Sequence, residues 1–346
     1  MRINPKLLSG IFVGLLVAAP LALHAQAPAG GVQPAPTAQA GGRADAATPG
    51  ATGRGAAAPA AAGRGAAAGG QAAPGGVCNA PCDPYPGMKK LLVVADVSTG
   101  YDHDAINHTM GVIEQMGRES GIWVTWLRSD SQLLTKGVPA GVTSPRYANR
   151  GPGAVNKRNL NYFDAVMMLG SGDAAMSDQQ KADLLSFIKE DGKGLILGHA
   201  EGVNFLTWPE FGNMIGGYMA NEFPASGMWT TVVDPKWTAA AAFGKDSFFW
   251  TDQWPVLTAP FTRGSVHTII AMDASKMTPE QKTRSGRTDN YYPIVWAKNY
   301  GKGRVFDFTG GHNDSTLDDP RTRALLMEGI KWALGLTNED ATPDKK

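Results

Sequence analysis

The chain has 346 residues, with 32 Lys and Arg against 31 Asp and Glu, so its net charge is close to zero. No basic stripe interleaved with aromatic residues breaks that balance, which excludes nucleic acid as an expected partner. The 43 glycines and 23 prolines are unevenly spread, so a disordered part and a globular part are expected in different stretches of the chain.

Residues 1–27 read as a signal peptide. Arg2 and Lys6 precede an apolar stretch interrupted by Pro20, and Ala25-Gln26-Ala27 forms a small-x-small cleavage site. The apolar part is too short and broken for a transmembrane helix, so no stable membrane insertion is expected after cleavage. A periplasmic or secreted location follows as the expectation. Residues 28–76 are nearly all Ala, Gly and Pro, with GRGAAA at 53–58 and again at 63–68. Such a segment buries too little apolar surface to offset the entropy of ordering, and is expected to be a disordered linker. Cys78 and Cys82 are the only cysteines. In an oxidising compartment they are expected to pair, a free or metal-binding pair being the other readings. Residues 77–337 are expected to form one domain, and 338–346 a disordered tail.

Within the domain, KKLLVVADVS (89–98) is a Val-rich run suited to a strand buried on both faces. A helix over about 104–120 follows, with Ile106, Met110, Ile113 and Met116 on one face. IWVTWL (122–127) is a second strand, 135–160 a long loop, and FDAVMMLG (163–170) a third strand. Ser177 with Gln180 three residues on is a capping box that opens a helix running to about 190. GLIL (194–197) is a fourth strand, followed by helical turns around 209–215. The alternation predicts a parallel sheet covered by helices. Residues 221–290 break the rhythm and read as an insertion over one edge of the sheet. YYPIVWAKNYGKGRVFDFTGG (291–311) reads as two strands around a tight turn, and a last helix spans about 320–334, with Pro320 suited to its first turn.

Five histidines lie beyond residue 27, and His103, His199 and His312 each fall just past a predicted strand end. In a parallel α/β sheet the strand ends of one polarity share one edge, where ligands bind. The three are therefore expected to meet in one pocket, with Glu201 beside them. His108 lies inside the first helix and can point elsewhere; His267 lies in an apolar strand and reads as structural. LGHAEG (197–202) has the outline of a nucleophile elbow, but its central residue is Ala200, which attacks nothing.

Several of these stretches together resemble the ThuA-like family of trehalose-utilisation proteins. They are Gly100-Tyr101-Asp102-His103-Asp104, GKGLILGHAEG (192–202), MIGGYM (214–219), TDQW (251–254) and PIVWAKNYGKGRVFDFTGGH (293–312), with the closing GIKWALG (329–335). The resemblance implies an α/β, flavodoxin-like fold of the class I glutamine amidotransferase-like type: a mostly parallel sheet with helices on both faces and the insertion at 221–290. It also implies use of a small carbohydrate, a trehalose-like disaccharide or its keto form. Ala200 stands where amidotransferases of this fold carry their Cys, so glutaminase chemistry is not expected. Ser171, the nearest other hydroxyl, follows a different strand. Gln253 stands where the family often has Glu, which puts that acid's role in doubt here.

Two functional readings follow. In the first, an enzyme uses His199, His312, Glu201 and His103 for proton transfer, as a hydrolase or isomerase. His103, His199 and His312 could equally hold a divalent metal such as zinc, although no compact metal motif marks them. Tyr101, Asp104, Ser171, Asp252 and Trp254 are expected to line the substrate pocket. Glu201 with Asp252 is the one carboxylate pair to nominate for a glycosidase, which needs its pair about 5 Å apart. In the second reading the protein is a non-catalytic sugar-binding module on a flexible tether, using the insertion tryptophans Trp208, Trp229, Trp237, Trp250 and Trp254. Most of those would otherwise be ordinary core.

Overall fold

In a computed structural model, which describes residues 85–97, 103–137, 139, 158–170, 172–199 and 201–345, strand β1 (Lys89–Val94) lies inside a nine-stranded sheet. Residues 1–27 and 28–76, expected to be a signal peptide and a linker, lie outside the described residues, as do Cys78, Cys82, Tyr101, Ser171 and Ala200. The sheet order is β2-β1-β3-β4-β11-β10-β9-β6-β7. Strands β2 (Trp123–Arg128), β1, β3 (Ala165–Met168), β4 (Gly194–Leu197) and β11 (Gly303–Phe308) run parallel. Alternate side chains feed two cores. Leu91 and Val93 pack with the helix Ala105–Ser120 and the helix Pro320–Ala333, whereas Leu92 and Val94 pack with the helices Asp178–Lys189 and Pro209–Ile215. Both faces are thus covered, which is why the central strands are apolar without alternation.

The tight turn at Tyr300–Gly303 forces β10 (Pro293–Tyr300) to run antiparallel to β11, in the register Val295↔Phe308. The insertion then differs from the expectation. Rather than lying over an edge, it continues the sheet: β9 (His267–Met272), β6 (Met228–Val232) and β7 (Phe248–Trp250) add on in antiparallel order. A free strand edge is a row of unpaired amides, and β10 offers one that β9 fills. Two remaining strands, β5 (Tyr218–Glu222) and β8 (Pro255–Thr258), form a separate antiparallel pair.

The end of the chain also corrects the expectation. Residues 338–345 pack along β9 instead of forming a loose tail. Asp344 donates its N–H to the Val266 carbonyl at 2.9 Å, and its carboxylate accepts from the Thr268 N–H at 3.1 Å. His267 is structural, bonded to the Thr342 carbonyl at 2.8 Å and to Asp234 at 2.9 Å. Among the described residues, no helix is long and apolar enough to cross a membrane.

Candidate metal centre at the strand-end edge

β1, β4 and β11 end at the same edge of the sheet, and the loop after each carries one histidine. His103 opens the first helix, where its carbonyl accepts from the Ile106 N–H. His199 follows β4 and His312 follows β11. The three rings come together with centroids 4.9 to 5.3 Å apart, each pair meeting edge to face. One ring nitrogen from each lies within 4.8 Å of the others.

The His199 ring is fixed in a defined tautomer. Its Nδ1 donates to the Thr309 carbonyl at 2.9 Å, so Nε2 carries the lone pair. Thr309 is itself held, its N–H and its hydroxyl both donating to the Ile294 carbonyl. Burial pushes the His199 imidazole down to about pKa 4, further lowered by His103 and His312, against the opposing pull of Thr309 and Gln253. It is therefore neutral near pH 7, the form that binds metal or accepts a proton. The His199 Nε2 and His312 Nδ1 are 3.3 Å apart. Two nitrogens each bound at zinc distance in a tetrahedron lie about 3.3 Å apart, so this pair already has ligand spacing. A carbonyl accepting the second ring N–H is the usual partner of a metal-ligating histidine. The residues present therefore fit a divalent ion such as zinc.

The loop that carries His312 is held from below by Asp252. This carboxylate is fully buried and accepts from the N–H groups of Gly311 at 2.8 Å, His312 at 3.1 Å and Gln253 at 2.7 Å. Burial raises its pKa, while Thr316 and the three backbone donors oppose that. Asp252 was expected to touch a substrate; it instead positions the His312 loop. Trp254 is corrected in the same way. It is fully buried, donates its indole N–H to the Trp250 carbonyl at 2.9 Å, and cannot stack on a sugar. Trp208, Trp237 and Trp250 are buried too, which leaves Trp229 as the exposed tryptophan of the set.

Glu201 lies in the core and is not part of the group able to hold a metal. Its Oε2 accepts from the Asn204 amide at 2.8 Å, and burial pushes its pKa up to about 8. Asp104 is exposed at the start of the first helix, with no side-chain capping bond. His108 turns away from the cluster to pair with Asp318 at 3.0 Å.

A cavity of about 360 Å³ opens beside His199, lined also by Met219, Asn221, Glu222, Pro255 and Arg284. Asn221, Glu222 and Arg284 were not singled out from sequence. Their only signal is polarity: Asn221 and Glu222 reach the site through the β5–β8 pairing, Asn221↔Val256 and Glu222↔Pro255, and Arg284 through hydrogen bonds from the helix Pro279–Ser285 to β5, none of which a local pattern encodes.

Fold and cluster together define an α/β protein with three imidazoles gathered at the carboxyl edge of a parallel sheet, the edge where ligands bind in such folds. The family model described as ThuA, trehalose utilisation, matches residues 90–333, and the chain belongs to that family. Among solved structures it is similar to a ThuA-like protein from Bacteroides uniformis, at 14% identity and TM-score 0.50, covering 73% of this chain and 94% of that one. It is also similar to a ThuA-like protein from Parabacteroides merdae, at 14% identity and TM-score 0.48, covering 73% and 92%. No curated protein matches.

Proposed function

We propose that this is an exported, periplasmic or secreted enzyme that acts on a small carbohydrate, with a divalent metal held by His103, His199 and His312. Family membership supports the carbohydrate. The observation that carries the chemistry is the convergence of three imidazoles, one of them neutral and oriented by a backbone carbonyl, beside an open cavity. When bound, such an ion polarises a carbonyl or activates water. The chain's own part is to hold the ring geometry: Thr309 fixes the His199 tautomer, and Asp252 fixes the loop bearing His312. Glu222 lines the same cavity, which supports it as the group that exchanges protons with a bound sugar. A keto-disaccharide or trehalose-like sugar that is hydrolysed or isomerised fits this reading. The buried insertion tryptophans argue against a purely aromatic sugar-binding module.

The test is elemental analysis of the purified protein together with turnover of a keto-disaccharide panel by wild type, His199→Ala and His312→Ala. Near one equivalent of metal and activity in wild type, both lost in folded variants, is the expected result. Full activity in either variant overturns the site; activity without metal that still needs both histidines replaces the metal by proton transfer.

A further inference from the structure

The cavity beside His199 shares Asn221 and Arg284 with a second cavity of about 510 Å³, which is lined also by Ser285, Arg287 and Thr288. Arg284 therefore stands at the junction of the two. Arg287 is occupied: its guanidinium pairs with Asp289 and donates to the Leu257 carbonyl at 2.7 Å. Arg284 differs. Its Nε donates to the Glu222 carbonyl at 3.0 Å, which anchors the planar group against β5. Its own carbonyl accepts from the Asn221 amide, which ties the end of the helix Pro279–Ser285 to the same strand. Among the described residues, its two terminal amino groups have no hydrogen bond and no ion pair, although Glu222 lines the same cavity. An anchored guanidinium with its outer fork open presents two parallel donors, the geometry that takes a carboxylate or phosphate. A cation in the last turn of a helix is also suited to the negative end of that helix, which accounts for its sign but not for its open fork.

We propose that Arg284 is a specificity-determining residue that takes the anionic group of the substrate, so that the site acts on an acidic carbohydrate, a sugar carboxylate or sugar phosphate, whose reacting carbon lies at the histidines. This rests on the carbohydrate reading above. The two cavities joined at Arg284 give one charged substituent a place beyond the ring at His199.

The experiment measures binding of glucose, glucuronate and glucose 6-phosphate to the zinc-loaded protein by calorimetry, for wild type, Arg284→Gln and Arg284→Lys, with metal content measured in parallel. In wild type, at least one of the two anions is expected to bind tenfold or more tightly than glucose, and which one does so tells carboxylate from phosphate. Arg284→Gln should abolish that ratio while leaving metal content unchanged, because the three histidines are intact. Arg284→Lys should keep a reduced preference that weakens with added salt. Equal binding of all three sugars to wild type, or an anion preference that survives Arg284→Gln, overturns the inference and leaves the carbohydrate reading standing. Binding of none of them overturns the inference; the carbohydrate reading falls with it only when the keto-disaccharide panel also goes unbound.

Discussion

Gln253 is the residue where this chain's chemistry departs most visibly from the pattern that its sequence resembles. It pulls the His199 pKa upward against burial, and it follows Asp252, which holds the His312 loop. A neutral amide here leaves the three imidazoles without a nearby anion at that point. Gln253→Glu would place a carboxylate against His199 and supply the charge that a divalent ion prefers. Zinc affinity, measured by competition with a chromogenic chelator, should rise by about 10-fold or more; unchanged or weakened affinity would show that the side chain at 253 does not reach the ion, and no zinc binding by either form that the cluster does not hold a metal. Asp307 offers a second test. It is fully buried on β11, neither carboxylate oxygen has a hydrogen bond, and burial, with Glu201 nearby, pushes its pKa well above 3.8. The fold therefore keeps this proton after the unfolded chain has lost it. Stability is full below about pH 4 and declines as pH rises toward the folded pKa. Asp307→Asn removes that loss, so its melting temperature should exceed wild type by a margin that grows from pH 4 to pH 8. A margin constant with pH would mean that Asp307 does not titrate in this way. The histidine cluster was legible in the sequence because each member follows a strand end, and parallel strands share an edge. The roles of Trp254 and Asp252 were not, because residue type does not report burial: Trp254 packs against Trp250 at 4.9 Å, and Asp252 spends its oxygens on backbone amides.

At the scale of single elements, local signals fixed the helices closely. The capping box places Ser177 before the helix Asp178–Lys189, with the Gln180 N–H donating to its hydroxyl and its own N–H donating to Gln180. The helix Pro320–Ala333 begins at Pro320, behind Asp319, whose side chain accepts from the Arg321 N–H. The insertion strands were seen only as apolar runs. Whether such a run pairs onto the main sheet or forms its own depends on distant partners, as the contrast of β9 on β10 with β5 on β8 shows. Element packing gives its own prediction at Gly194, the first residue of β4. A Cβ there would sit 2.4 Å from the Ala333 carbonyl oxygen, so backbone from the last helix occupies the space of a side chain. Gly194→Ala must push that helix away from β4, and should cost about 1–3 kcal/mol in denaturant unfolding. Because β4 leads directly into His199, the same variant should also loosen the site. Wild-type stability would show that the last helix can shift freely, contrary to the close packing of Leu325 and Ile330 in the core.

For the whole molecule, the cluster joins parts of the chain that are far apart. His103 and His312 are separated by most of the domain, yet their rings lie 5.3 Å apart. An ion bound there would tie the loops after β1, β4 and β11 together in the native state and in no unfolded one. Binding that favours the native state alone stabilises by mass action, about 2.7 kcal/mol at a free metal concentration 100 times the dissociation constant. In a domain of this size each kcal/mol moves the melting temperature by about 2–4 °C. Protein stripped with chelator and then supplied with zinc at that excess should therefore melt about 5–10 °C higher than the stripped form. His199→Ala and His312→Ala should lose this response, because the pair at ligand spacing, 3.3 Å, is then broken. His108→Ala should keep it, since His108 pairs with Asp318 outside the cluster. A melting temperature indifferent to chelator and zinc alike would remove the metal from the proposed function. The three imidazoles would then be left with proton transfer as their chemistry, and with the neutral His199 as its base.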